Sequence, residues 1–191
     1  MTDPCLARHS SGCKADFALA LSVCAAGFAA LAGGLTLRSP PDLQALVCLS
    51  IGLGLVGWSL LEYVVHRFVL HGGIRPFSTW HAAHHEGLQS RWAAVKTLLG
   101  AALVVGPALS LSVMLDVEWF GMGLSLGLLT GYAAHVAIHH AIHHWHCEHI
   151  WLTQRKFRHA MHHDPRRPAA DYGVTSSIWD ELLHTGQRQD F

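Results

Sequence analysis

Histidine offers more chemistry than any other residue in this chain, and it is unevenly placed. Of 191 residues, seventeen are histidine, and fifteen of these lie between His66 and His163. They fall in bunches: HRFVLH with His66 and His71, HAAHH with His81, His84 and His85, HHAIHHWH from His139 to His146, and HAMHH with His159, His162 and His163. Neutral imidazole is the commonest protein ligand for transition metals. One such bunch is compatible with a loop. Four of them, set between long apolar segments, point to a metal site assembled from several parts of the chain.

The spacings sort the histidines. In HxxHH the outer residues are i,i+4 and the first two i,i+3, spacings that share one face of a helix. His81, His84 and His85, and again His159, His162 and His163, are each expected to present a compact set of nitrogens. His139 and His143 are spaced i,i+4, and so are His140 and His144, so either pair can face the site. His66 and His71 are five apart, a poor match to a regular helix, and Gly72-Gly73 predicts a helix end just after them. Two triplets and two pairs supply ten imidazoles. That is more than a single ion coordinates, and it predicts two metals. His9 and His184 are read as surface residues, and His135, His146 and His149 as interfacial polar residues. An all-imidazole set with few carboxylates nearby suits iron, zinc, copper or nickel.

The elements that must position these ligands are apolar. Half of the chain is hydrophobic (51%) and only 14% is charged, against about 25% in soluble domains. Residues 1–14 form a polar N-terminal tail, and 15–191 read as one domain with its histidine boxes between 66 and 163. Four runs have the length and composition to cross a bilayer: Ala15–Leu37, Leu43–Leu61, Ala93–Leu115 and Trp119–Ile138. A secretory signal would carry a shorter apolar core nearer the start, so the first run is read as a span. The second and fourth helices are expected to continue past their apolar runs into the histidines. The expected fold is therefore an all-α integral membrane bundle of about four transmembrane helices with a histidine-rich helical cap. Trp58, Trp80, Trp92 and Trp119, near the span ends, are read as interfacial belt residues. Gly52, Gly54 and Gly57 are read as close helix-packing positions.

Charge gives the orientation. If the chain starts in the cytoplasm and crosses four times, the tail, 66–96 and 139–191 are cytoplasmic. They hold twelve of the thirteen Lys and Arg residues, with only Arg38 opposite. That positive-inside bias places every histidine cluster on the cytoplasmic face. A multi-pass protein of a bacterial inner membrane is expected. Formal net charge is zero, so no nucleic-acid partner is expected. The five cysteines contain no CxxC pair and are read as free thiols.

A metal site at the bilayer surface, at the end of four hydrophobic helices, is placed to act on a lipid-soluble molecule. Oxygen activation followed by attack on an unactivated C–H bond needs such a setting. Three other readings exist. A b-type haem electron-transfer bundle needs only two ligands per haem and leaves the triplets unused. A metal transporter or store predicts ligands along the span interiors. A zinc hydrolase acting on lipids is the third.

The boxes also carry a resemblance. Glu62-Tyr63-Val64-Val65-His66-Arg67-Phe68-Val69-Leu70-His71 resembles the EYxxHRxxxH opening of the fatty acid hydroxylase (sterol desaturase) superfamily, the membrane-bound histidine-box di-iron oxygenases. His81–His85 and His159–His163 are similar to its next and last boxes, and His139-His140-Ala141-Ile142-His143-His144 to its HxxxHH. Tyr172 to Asp180 (YGVTSSIWD) resembles its FGVTSxxWD stretch. The resemblance covers roughly residues 55–185. It implies His66, His71, His81, His84, His85, His139, His143, His159, His162 and His163 as metal ligands. It favours His139/His143 over His140/His144 because Gly131-Tyr132 then falls on the family's Gly-Tyr pair.

The resemblance further implies two iron ions, with zinc as a possible occupant of a purified sample, and O2 as co-substrate. It implies an external electron donor of the ferredoxin or cytochrome b5 type, and a lipid substrate, a fatty acyl chain or sterol, that is hydroxylated or desaturated. The short gap between His71 and His81 resembles that of the carotene hydroxylases, which makes a carotenoid the alternative substrate. Glu62, Asp164 and Asp180 are candidates to orient ligand imidazoles. Arg155-Lys156-Phe157-Arg158 and Arg166-Arg167 could meet lipid head groups or an acidic electron carrier.

Overall fold

The computed structural model describes residues 11–87, 93–146 and 149–187. Every regular element among them is helical: α1 (Ser11–Arg38), α2 (Gln44–Val64), α3 (Phe77–His85), α4 (Ala93–Met114), α5 (Glu118–His144), α6 (Ile150–His162) and α7 (Ile178–Leu182). Four stretches are long and apolar enough to cross a membrane: Ala15–Arg38, Pro41–Leu70, Val95–Met114 and Glu118–His144. They correspond to the four expected spans. α1 starts at Ser11, inside the expected tail. Residues 1–10, with His9, lie outside the described residues, as do Trp92 and Cys147.

Lipid tails are as apolar as leucine, so the helices cannot associate by hiding leucines from water. Close approach of small residues must do it. α2 and α5 show how. Ser50, Gly54, Trp58 and Glu62 recur every fourth residue and form the buried stripe of α2. Gly123, Gly127 and Gly131 recur at the same interval along the facing stripe of α5. The two stripes pair in one parallel register, residue n against n + 73. A Cβ at Gly123 would lie 3.3 Å from Ser50 Cβ, one at Gly127 would lie 2.9 Å from Gly54 Cα, and one at Gly131 would lie 2.5 Å from Trp58 Cβ. The fourth rung is polar, with Glu62 against His135. The next step along both stripes is His66 and His139.

Of the three α2 glycines read as packing positions, Gly54 is one. Gly52 has nothing within 4 Å of an added Cβ, and Gly57 sits in ordinary contact with Leu128. Trp58 is not a belt residue: it is buried on Gly131, because that glycine leaves room for an indole. Trp119 packs against the cluster of Leu35, Val47 and Leu126 from α1, α2 and α5. A second apolar cluster joins Cys24, Ala101 and Leu129 of α1, α4 and α5. α5 is therefore the central helix. The outer faces are exposed aliphatic residues such as Leu49, Val56, Leu103 and Leu111, as a lipid-facing surface requires. Cys24 and Cys48 are free thiols, as expected.

The helix continuing α2 does not simply end at the first histidine box. Val65–Leu70 winds as a π-helix, and the His71 N–H donates to His66 O at 3.1 Å. The i→i+5 turn aligns residues five apart. The spacing that fits an α-helix poorly fits this turn. Gly72 then ends it, since a Cβ there would lie 2.6 Å from the Phe68 carbonyl carbon, and Gly73 turns the chain at φ 81°.

Candidate metal centre

α3, α6 and the end of α5 meet the π-turn at the same end of the bundle. The ligand atoms of His66, His71, His81, His85 and His162 all lie within 4.8 Å of one another, and those of His84, His143, His159 and His163 form a second such set. Nine of the ten expected ligands are thus gathered into two sets. The tenth, His139, adjoins the second. Its ring centre is 4.7 Å from His84, 4.8 Å from His143 and 4.9 Å from His159.

Each HxxHH box was expected to present one compact set, and the structure divides it instead. Helical residues advance by about 100° each, so i and i+4 lie about 40° apart while i+3 and i+4 diverge by about 100°. His81 and His85 therefore join the first set and His84 the second. At the end of α6, His159 and the C-cap His163 join the second and His162 the first. Each triplet straddles both sets and holds them side by side. The same rotation separates His139 and His143 from His140 and His144. His140 stacks on Phe17 of α1, 3.7 Å between ring centres, and pairs with His144 at 4.4 Å, outside both sets.

The nitrogen geometry fits metal ions. His66 Nδ1–H donates to Tyr172 O at 2.5 Å and His162 Nδ1–H to Ala170 O at 2.6 Å. Both rings thereby present an Nε2 lone pair to the first set. In that set, His81 Nε2 lies 3.1 Å from His66 Nε2, 2.9 Å from His71 Nε2 and 3.0 Å from His85 Nε2. One N–H cannot satisfy three such neighbours. In the second set, His143 and His159 Nε2 are 2.9 Å apart, and His84 and His163 Nε2 are buried without a partner among the described residues. A cation with bonds of about 2.1 Å to nitrogen holds cis ligands about 3.0 Å apart in octahedral geometry. It would also complete the orphaned atoms.

Burial, and then repulsion among neighbouring imidazoles, keeps these rings neutral. Outside the spans, His71 is pushed down to about 4, His84, His85 and His163 to about 3, and His81 to about 2. His159 is lowered in the same way, and His162 by burial, which its bond to the Ala170 carbonyl and the nearby Asp180 carboxylate partly oppose. Neutral imidazole is the form that binds metal.

The three carboxylates expected to orient imidazoles behave differently. Glu62 is buried and accepts from His135 Nδ1 at 2.5 Å, from Thr175 Oγ1 at 2.6 Å and from the Thr175 amide. His135 in turn stacks on His139, 5.5 Å between ring centres. Reading His135 as an interfacial bystander missed this. The signal was its place on the four-residue stripe of α5. Asp180 is buried and reaches two ligands indirectly, through the segment that carries Ala170 and Tyr172. Among the described residues, Asp164 bonds to no imidazole. Its carboxylate takes the side chain and amide of Arg166, with Arg167 nearby, in the turn after α6. These bonds pull its acid down to about 2.

The basic stretch is also partly committed. Lys156 donates to Trp145 O, and Arg158 faces Asp171 and Glu181 at 3.8 and 3.5 Å. The outward face of α6 leaves Ile150 and Phe157 exposed.

The family model for fatty acid hydroxylases matches residues 51–185. Dihydroceramide fatty acyl 2-hydroxylase of Arabidopsis thaliana is 30% identical over 154 residues, which cover 72% of this chain and 60% of that protein. The chain thus spans three fifths of that relative's length. Full-length scs7p, of which only the hydroxylase domain is visible, superposes with a TM-score of 0.64 over 92% of this chain and 68% of that one, at 22% identity. That likeness supports the fold.

Proposed function

Because the chain belongs to the fatty acid hydroxylase family, we propose that it hydroxylates the acyl chain of a membrane lipid, using O2 and electrons from an external donor at a centre of two iron ions. The observation that carries this reading is the pair of imidazole sets at one end of an apolar four-helix bundle. His66, His71, His81, His85 and His162 would hold one ion. His84, His143, His159 and His163 would hold the other, with His139 beside them. When bound, such a pair of ions supplies the redox chemistry that puts one oxygen atom of O2 into a C–H bond and releases the other as water, consuming two electrons and two protons.

The chain's own residues supply position and environment. The α2–α5 stripe sets His66 and His139 at fixed height. The Tyr172 and Ala170 carbonyls hold the His66 and His162 rings with Nε2 inward. The burial of His66, His159 and His162 keeps bulk water from the inner side of the site. Exposed aliphatic faces along the spans let an acyl chain reach the site from the bilayer. The acyl 2-hydroxylase relative supports a fatty acyl substrate over the carotenoid alternative. The positive-inside charge pattern supports a cytoplasmic site, open to a ferredoxin- or cytochrome b5-type donor.

The test is lipid profiling by mass spectrometry of cells with and without the chain. New hydroxyacyl lipids are expected with the intact sequence and not with His84→Ala or His162→Ala. Product that persists in both variants refutes the site.

A further inference from the structure

The two imidazole sets differ in what stands behind them. In the first, two rings donate to carbonyls of one segment: His66 to Tyr172 O and His162 to Ala170 O. In the second, among the described residues, none of His84, His143, His159 and His163 donates Nδ1 to a backbone carbonyl.

The segment that supplies the two carbonyls has little regular structure of its own. One buried carboxylate gathers it. Asp180 Oδ1 accepts from the Tyr172 amide at 2.9 Å and from Thr185 Oγ1 at 2.8 Å, and Oδ2 accepts from the Gly173 amide at 2.8 Å. The Asp180 carbonyl accepts from the Thr185 amide at 2.8 Å. The loop is closed at its other side by the Asp171 amide donating to Thr185 O at 3.0 Å.

Besides the Thr175–Glu62 and Trp179–Ser59 bonds, this knot is tied to α2 through Tyr63. Thr185 Oγ1 spends its proton on Asp180, so Tyr63 OH must donate to Thr185, 3.1 Å away. Tyr63 OH can then accept from Arg67 Nη1 at 2.5 Å. The donors run one way, Arg67 to Tyr63 to Thr185 to Asp180. Tyr63 and Asp180 are each 1% exposed, while Arg67 and Thr185 are half-buried. A partly buried, charge-assisted network of this kind is rigid, and losing a member leaves the others unpaired.

We propose that the segment from Ala170 to Gly186, knotted by Asp180 and anchored by Tyr63, is the retaining device for the metal of the first set alone. Asp180 and Tyr63 are positioning residues, acting through the Tyr172 and Ala170 carbonyls that fix His66 and His162. The two metals are inequivalent as a result: two ligands of the first are held directly by carbonyls of this segment, whereas the second set meets it only remotely, through Thr175, Glu62 and the His135 ring stacked on His139. The proposal rests on the reading that the two sets bind metal.

The experiment is zinc binding to the full chain in detergent, by metal analysis and by competition with a chromophoric chelator. Wild type is expected to hold about two ions per chain. Removing an outer partner of a ligand weakens metal affinity by about 10–100-fold. Asp180→Asn should therefore weaken one ion by that factor and leave the other at wild-type affinity. Combining it with His163→Ala should leave no tightly held ion. Tyr63→Phe removes one anchor, leaves the Thr175–Glu62 and Trp179–Ser59 bonds, keeps the apolar ring, and should weaken the same single ion by a smaller factor. It is the deciding variant should Asp180→Asn fail to fold. Wild-type affinity for both ions in Asp180→Asn and in Tyr63→Phe overturns the device and leaves the metal reading standing. Equal weakening of both ions in either variant also overturns it. A wild-type chain without tight zinc overturns the metal reading itself.

Discussion

The α2–α5 stripe makes a prediction about a residue far from any histidine. A Cβ at Gly127 would run into the Ile51 carbonyl oxygen and lie 2.9 Å from Gly54 Cα and 2.9 Å from Leu55 N, all backbone atoms of the facing helix. Ordinary contact needs about 3.5–4.0 Å, and no rotamer change can supply it, so the helices must separate by roughly 1 Å. Overpacking of this kind costs about 1–3 kcal/mol. It is opposed by the roughly 0.5–1 kcal/mol that alanine gains over glycine within a helix. Gly127→Ala should therefore be destabilising, while Gly52→Ala, with open space around its Cβ, should be neutral or stabilising. The shift should also travel. His139 is twelve residues further along α5, about 18 Å at 1.5 Å per residue, and shares the stripe with His135. A displacement near 1 Å at a reacting centre can cost about 100-fold in rate. Thermal unfolding in detergent and hydroxyacyl product yield read the two effects. Equal stability and equal yield of the two alanine variants would refute the close-packed register.

Three further expectations follow from the site. His140→Ala and His144→Ala should keep wild-type zinc content, whereas His143→Ala should lower it; metal analysis of the purified variants decides. Without metal, the folded protein should lose stability on acidification. His71, His81, His84, His85 and His163 have folded values near 2 to 4 against an ordinary 6.5. The unfolded chain therefore binds more protons below about pH 6.5, and stability present above that pH is lost as pH falls toward the folded values. Metal-free unfolding followed from pH 7 to pH 4 checks the sign; a flat or rising profile contradicts it. Glu62→Ala leaves His135 Nδ1 and the Thr175 amide, both part-buried, without their acceptor, at up to about 1–3 kcal/mol for each, and should lower the unfolding midpoint more than His135→Ala, which removes one donor and spares the Thr175 bonds.

Much of this was legible in the residues. Four apolar runs gave four spans because composition and length alone decide whether a helix can cross a bilayer. The ligand boxes were legible because i,i+4 spacing survives any tertiary arrangement. The division of each HxxHH between two sets was not, although the 100° step contains it, because only the facing helices show which side each nitrogen meets. The His66–His71 spacing hid a π-turn, whose hydrogen bond to the i+5 amide leaves no mark on hydropathy. Trp58 was misread because its partner is a glycine on another helix. His135 looked like an isolated polar residue until α2 brought Glu62 to the same rung. The Asp180 knot was only half visible: the carboxylate stood out, but its effect passes through backbone carbonyls that any residue could supply.

On the proposed function, this centre places an atom of O2 into a lipid acyl chain. Cells making the chain should be grown under heavy-oxygen dioxygen and their lipids read by mass spectrometry. Hydroxyacyl lipids carrying the heavy atom are predicted with the intact sequence and should vanish with His84→Ala. A hydroxyl oxygen that comes from water, or the absence of any new hydroxylated lipid when iron and reductant are supplied, would contradict the account.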